Sequence, residues 1–234
     1  MSAVDYSIDG KPYEGFFLKP AGKSNVPVVV IAHAWAGLAE NERQKAQLVV
    51  DKLGYAAFAM DVYGKGKRGT TIEENQALMN PLAGNRAELQ KRLAGGLAAA
   101  KQQEGVDASK AAAIGYCFGG LSVLDMARAG MDVLGVCSFH GLLGAPDNIS
   151  SPKISAKVLI EHGWQDPMAK PDDVLAIAKE MTEAGADWQL HAHGNSMHAF
   201  TTQGANNPDM GTVYNADADR RSFEHLEDFL AELF

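Results

Sequence analysis

Gly115-Tyr116-Cys117-Phe118-Gly119-Gly120, reached at the end of the apolar run Ala111–Ile114, admits very few folds. Glycines bracketing a reactive residue suit a place where a strand turns sharply into a helix. Side chains at the flanking positions would collide with the adjoining strand and helix, and the apex backbone is strained. Such an elbow usually carries serine, as G-x-S-x-G; here the central residue is a thiol. A cysteine at that apex sits at a helix N-terminus, whose partial positive charge favours thiolate. The segment points to acyl transfer by cysteine.

The rest of the chain alternates strand and helix around this turn. Residues 3–8 and 13–18 read as an opening antiparallel hairpin turning at Gly10-Lys11. Pro27–Ala32 is β-branched without polar alternation, the pattern of a strand buried on both faces. A helix over 40–53 stops at Gly54, and a second buried strand follows at 55–60. Helices are expected at 71–79, 85–103, 121–129, 171–184 and 219–233, with strands at 111–114, 133–137, 158–160 and 188–192. This order implies right-handed crossovers and a mostly parallel central sheet flanked by helices on both faces. No repeat or linker interrupts it, so one domain over 1–234 is expected.

Composition narrows the function classes. The 234 residues carry a net charge of −8, and the basic residues form only short clusters, Lys65-Lys67-Arg68 and Arg220-Arg221. That argues against a nucleic-acid partner. With two cysteines, Cys117 and Cys137, there is neither a disulfide scaffold nor a four-thiolate zinc site, and reduced thiols are the simpler reading. The N-terminus has no secretory pattern and no apolar stretch is long enough to span a bilayer. A cytoplasmic protein without a membrane partner is the resulting expectation.

In elbow-type hydrolases the nucleophile is followed by an acid and then a histidine. Asp166, in His162-Gly163-Trp164-Gln165-Asp166-Pro167, and His198, in Gly194–Phe200, fall in that order on loops after strands. Loops at the carboxyl ends of strands are where open α/β sheets build sites. His198 would exchange the proton of Cys117 while Asp166 fixes the imidazole tautomer. The oxyanion hole is expected from the backbone N–H groups of Phe118 and Trp35. His33 is expected to orient the Trp35 loop or line the pocket, with a packed structural histidine the equal alternative. Trp164 and Phe200 are candidates for the pocket wall, with core packing the equal alternative.

With these residues in place, the chain resembles the dienelactone hydrolase family. The resemblance rests on the cysteine elbow, Gln165-Asp166, His198-Ala199-Phe200 and the Gly54-Tyr55-Ala56-Ala57…Asp61-Val62-Tyr63-Gly64 stretch. It implies an α/β-hydrolase fold, a Cys-His-Asp triad and a carboxylic ester or enol-lactone substrate, and the resulting expectation is hydrolysis of small esters, lactones or thioesters without metal or organic cofactor. Two positions depart from the family pattern. Ala34 stands where the best-known members have a glutamate that takes part in activating the thiol, with Glu40 and Glu161 as conceivable replacements. Thr202 stands where they have an arginine that helps hold the substrate carboxylate.

Other features are read more plainly. Cys137, inside an apolar strand, is expected to be a buried hydrophobe. His140 and His162 follow strands and could reach the same edge; His191 and His193 are on or next to a strand, and His225 is placed on the last helix. No H-x-x-x-H spacing on a helix supports a metal among them. Asp217 or Asp219 is expected to cap that last helix, and 201–216 to be either a flap beside His198 or a long surface loop. Two rival functions use the same fold, a non-hydrolytic small-acid binder and a redox-sensing thiol.

Overall fold

The computed structural model describes residues 2–150 and 153–234; Met1, Ser151 and Pro152 lie outside the described residues. Strands β1 (Ser2–Ile8) and β2 (Lys11–Leu18) form the antiparallel hairpin, its turn falling at Asp9-Gly10, both with positive φ. They flank β3 (Val26–Ala32), β4 (Ala56–Met60), β5 (Val106–Tyr116), β6 (Gly135–Phe139), β7 (Lys157–Gly163) and β8 (Trp188–His193) in one eight-stranded sheet. Its order is β1-β2-β4-β3-β5-β6-β7-β8, and β4 through β8 pair in parallel. Among the described residues the α-helices are α1 (Glu40–Leu48), α2 (Ile72–Ala83), α3 (Arg86–Lys101), α4 (Phe118–Arg128), α5 (Pro171–Glu183) and α6 (Ala216–Leu233). This is the mostly parallel, helix-flanked sheet that the strand–helix alternation implied, and the α/β-hydrolase fold that the family resemblance implied.

The sheet is buried on both faces, which explains its unbroken apolar strands. Val28, Val29, Val30 and Ile31 have no exposed surface, and alternate residues enter two separate cores. Each such side chain contributes roughly 1.5–3 kcal/mol through removal from water. The helix expected over 40–53 is α1 followed by a single π-helical turn, Val49–Leu53, ending at Gly54 in the left-handed region. The first turn of α6 is capped by Asn215, whose side chain accepts from the N–H groups of Asp217 and Ala218. Neither Asp217 nor Asp219 is therefore the cap, because the helix begins earlier than its apolar periodicity indicates.

α4 is fixed at both ends. Cys117 precedes its first residue, with φ 57° and ψ −116°, and its N–H donates to Phe139 on β6 at 3.1 Å. At the far end Arg128, its side chain fully buried, grips both Glu180 oxygens on α5 at 2.7 Å. Asp125 on α4 receives Arg86 from α3. A buried charge network of this kind costs desolvation but leaves the helix few alternative positions. Residues 201–216 hold a short pair, β9 (Asn206–Asn207) and β10 (Thr212–Val213), joined by a 3₁₀ turn at Pro208–Met210. Among the described residues no helix is long and apolar enough to cross a membrane.

Candidate active site

β5, β7 and β8 run parallel, so the loops after them leave the same edge of the sheet, and they carry Cys117, Asp166 and His198 respectively. The elbow is tight because backbone packs against backbone. A Cβ on Gly115 would lie 2.0 Å from the carbonyl oxygen of Gly119, and one on Gly119 2.1 Å from that of Ala32. Glycine at these two positions lets the helix start directly against β3 and β5 while lifting Cys117 into a cavity.

His198 is buried, and its Nδ1 meets Asp166 Oδ2 at 2.7 Å. The other Asp166 oxygen accepts from the Met168 N–H at 2.8 Å, which orients the carboxylate. Among the described residues the His198 Nε2 has no hydrogen-bond partner, and the Cys117 thiol is near enough to act on the charge of the imidazole. Burial opposes charge on this imidazole, but Cys117 and Asp166 outweigh it and carry its pKa up to about 10. His140 stands 5.1 Å from His198, ring to ring, with its Nε2 bonded to Thr201 Oγ1 at 2.9 Å. Burial first, then the charges of His198 and Lys45, hold His140 well below the ordinary histidine value. A neutral ring thus stands beside the one that gains a proton.

The loop after β3 faces Cys117 and is held from several sides. His33 is buried; its Nδ1 donates to the Ala34 carbonyl at 2.7 Å and its Nε2 accepts from the Val62 N–H at 3.2 Å. Tyr63, whose N–H is held by Asp61, donates its hydroxyl to the Trp35 carbonyl at 2.9 Å and stacks on Phe118. Glu42, buried on α1, receives the N–H groups of Ala34 and Ala39 at 3.3 and 3.0 Å. Among the described residues neither the Trp35 nor the Phe118 N–H is taken up by another protein group. Both are free to donate into the cavity's end of the loop and helix.

The cavity above Cys117 has a volume of about 630 Å³. Trp35, Ile72, Met79, Leu142, Met168 and Met210 give it apolar walls, with Cys117, His140 and His198 at its reactive end. Thr202, Ala205, Asn207, Met210 and Thr212 contribute one side, so the 201–216 segment is a wall of this cavity. Three expected wall residues are not part of it. Phe200 is fully buried against His140 and His193, Trp164 is 45% exposed outside it, and His33 is spent on the loop backbone. Side chains leaving a strand end point to either face, and sequence position alone did not separate them. His162 is also absent from the lining, and Cys137 is fully buried, as its apolar strand implied.

This arrangement has close parallels. The sequence profile of the dienelactone hydrolase family matches residues 13–234. The chain belongs to the dienelactone hydrolase family. It is accordingly a hydrolase. A solved relative, a promiscuous dienelactone hydrolase-like phosphotriesterase from metagenomic libraries, is 32% identical. It superposes with a TM-score of 0.93 over 100% of this chain and 98% of its own. A candidate carboxymethylenebutenolidase of Aquifex aeolicus is 25% identical over 205 residues, 86% of this chain and 87% of that one. An uncharacterised Caenorhabditis elegans protein is 35% identical over 150 residues, 63% of this chain and 95% of its own.

Ala34 and Thr202 both line the cavity, so the two departures from the family pattern lie where a substrate would. The carboxylate that reaches this wall is Glu42, which sequence reasoning did not single out. Glu40 is exposed, and neither it nor Glu161 lines the cavity. The signal for Glu42 was a capping-box glutamate three residues after Ala39, obscured because alanine replaces the usual Ser or Thr at the cap. Among the described residues no lysine or arginine lines the cavity.

Proposed function

We propose that this protein hydrolyses small, uncharged carboxylic esters, lactones or thioesters through Cys117, His198 and Asp166. The observation that carries the reading is the His198 imidazole, bonded to Asp166 on one side and turned to the Cys117 thiol on the other at the end of an apolar cavity. The Cys117 thiolate attacks the substrate carbonyl, and the oxyanion forms against the N–H groups of Phe118 and Trp35. As the C–O or C–S bond to the leaving group breaks, the His198 imidazolium gives it a proton. A thioester on Cys117 and a neutral imidazole remain. Water then gives a proton to His198 and a hydroxyl to the acyl carbon, so that the acid leaves and the Cys117 sulfur is released for the next turnover. Asp166 keeps the imidazole in the tautomer these steps require.

The preference for uncharged substrates follows from the walls. A substrate carboxylate would lose its hydration in an apolar cavity with no lysine or arginine among the described lining residues to receive it. The test is the ratio of kcat/KM for a neutral aryl ester to that for dienelactone, which carries a carboxylate. We expect the neutral ester to lead by about 100-fold. Equal or reversed values would overturn the preference, and no turnover of any ester would overturn the hydrolytic reading. The phosphotriester activity of the solved relative places a neutral aryl phosphotriester in the same panel.

The raised His198 pKa has a signed consequence. Because the value rises from 6.5 to about 10, the imidazolium persists through neutral pH and is lost as pH climbs through 10. The kcat/KM profile is expected to fall on its alkaline side with an apparent pKa near 10. In Asp166→Asn, which removes one of the causes, that limb moves to lower pH and kcat/KM drops about 10³–10⁴-fold. An alkaline limb unmoved in Asp166→Asn would contradict this assignment.

A further inference from the structure

Away from the cavity, side chains from three elements converge on one buried carboxylate. Glu161 on β7 has no exposed surface. Its Oε2 lies 2.7 Å from Nε2 of His193, at the end of β8, and its Oε1 lies 2.9 Å from Nδ1 of His225, on α6. Among the described residues its ion-pair partners are these two histidines alone. Asp125, the comparably buried carboxylate of α4, is instead met by Arg86 and Arg128. A buried carboxylate without a permanent cation is unusual and costly.

We propose that Glu161, His193 and His225 form a binding site for one borderline divalent transition-metal ion of the Zn²⁺ class. All three offered ligand atoms lie within 4.8 Å of one another. Metal–ligand bonds of about 2.0–2.2 Å put tetrahedral donors about 3.3 Å apart, a spacing that lies between the 2.7 and 2.9 Å imidazole–carboxylate contacts and the 4.8 Å limit of the group. Two imidazoles and one carboxylate select zinc-like ions over calcium and magnesium, which prefer oxygen donors. The ion replaces the missing positive charge, and water takes the fourth position. His225 is one-third exposed, and His193 lines a small open cavity with Asn195 and Asp217, which gives an aqueous ion a way in.

None of the three residues lines the cavity above Cys117, so the ion has no place in the ester chemistry. Its effect is mechanical. It ties α6 to the ends of β7 and β8, and His193 packs 5.2 Å from Phe200, which packs 5.2 Å from His140 beside His198. An occupied site therefore braces the loop that carries His198. The site stands whether or not the hydrolytic reading holds.

The test is equilibrium dialysis of the full chain against Zn²⁺, with Cys117 first alkylated so that the thiol and His198 cannot compete. We expect one ion per chain, saturating below about 10 µM. At a hundredfold excess over Kd the melting temperature should rise by roughly 5–10 °C. Co²⁺ in the same site should show the visible absorption of a tetrahedral nitrogen–oxygen complex. His225→Gln, a change on a partly exposed helix position, should weaken binding at least tenfold, abolish the thermal shift and leave metal-free esterase activity unchanged. His191→Gln, which stacks on His225 at 3.9 Å but offers no ligand atom to the group, should keep full affinity. No binding at 1 mM Zn²⁺, or binding unchanged in His225→Gln, would overturn the proposal.

Discussion

Cys117→Ala is expected to lower ester turnover by about 10⁴-fold or more while the melting temperature moves by no more than one or two degrees. The size of the loss follows from the role: without the sulfur there is no acyl-enzyme, and the His198–Asp166 pair has nothing to activate but water. The small structural effect follows from the position. Alanine keeps the Cβ that already occupies this backbone conformation, and the thiol faces a cavity, so its removal leaves no sealed void. Steady-state rates and thermal unfolding of the same preparation check both halves. Turnover within tenfold of wild type would remove Cys117 from the mechanism.

Gly119→Ala is expected to be strongly damaging for the addition of a single methyl. The new carbon would sit 2.1 Å from the Ala32 carbonyl oxygen and 2.9 Å from that of His33, both backbone atoms that no rotamer change can clear. Either α4 backs away from β3 or the end of β3 distorts, and both displace Cys117 from His198. We expect a loss of about 3 kcal/mol or more, hence a melting temperature lower by roughly 10 °C. Gly144→Ala is the matched control, since nothing lies within 4 Å of its added carbon. It should change stability by less than about 0.5 kcal/mol. Similar melting temperatures for the two variants, measured by calorimetry, would mean that the elbow is not held as described.

The elbow was legible in the sequence because its constraint is local: three glycines within six residues leave one strand-to-helix turn that accommodates them. Asp166 and His198 were legible through their order and their placement after strands, which the parallel sheet converts into proximity. Glu42 was not, because its job is to hold two backbone amides, and the cap it serves is an alanine. Trp164 and Phe200 do not line the cavity, Phe200 taking the core-packing alternative, and His33 holds the loop, one of the roles expected of it. The helix 216–233 was read to start late because Asn215 caps a first turn with little apolar character. The Glu161 group could not be seen at all. His193 and His225 lie 32 and 64 residues beyond it, and only the adjacency of β7, β8 and α6 brings them together.

The central claim, that Cys117 carries the acyl group, is tested most directly by titrating activity against alkylation. The reduced protein is treated with sub-stoichiometric to excess iodoacetamide, and each sample is assayed on a neutral aryl ester and mapped by peptide mass spectrometry. Cys137 is fully buried and serves as the internal control for selective reaction. The account predicts that residual activity falls in direct proportion to unmodified Cys117, reaching zero at full modification with Cys137 untouched. Turnover that persists when Cys117 is fully alkylated would contradict it.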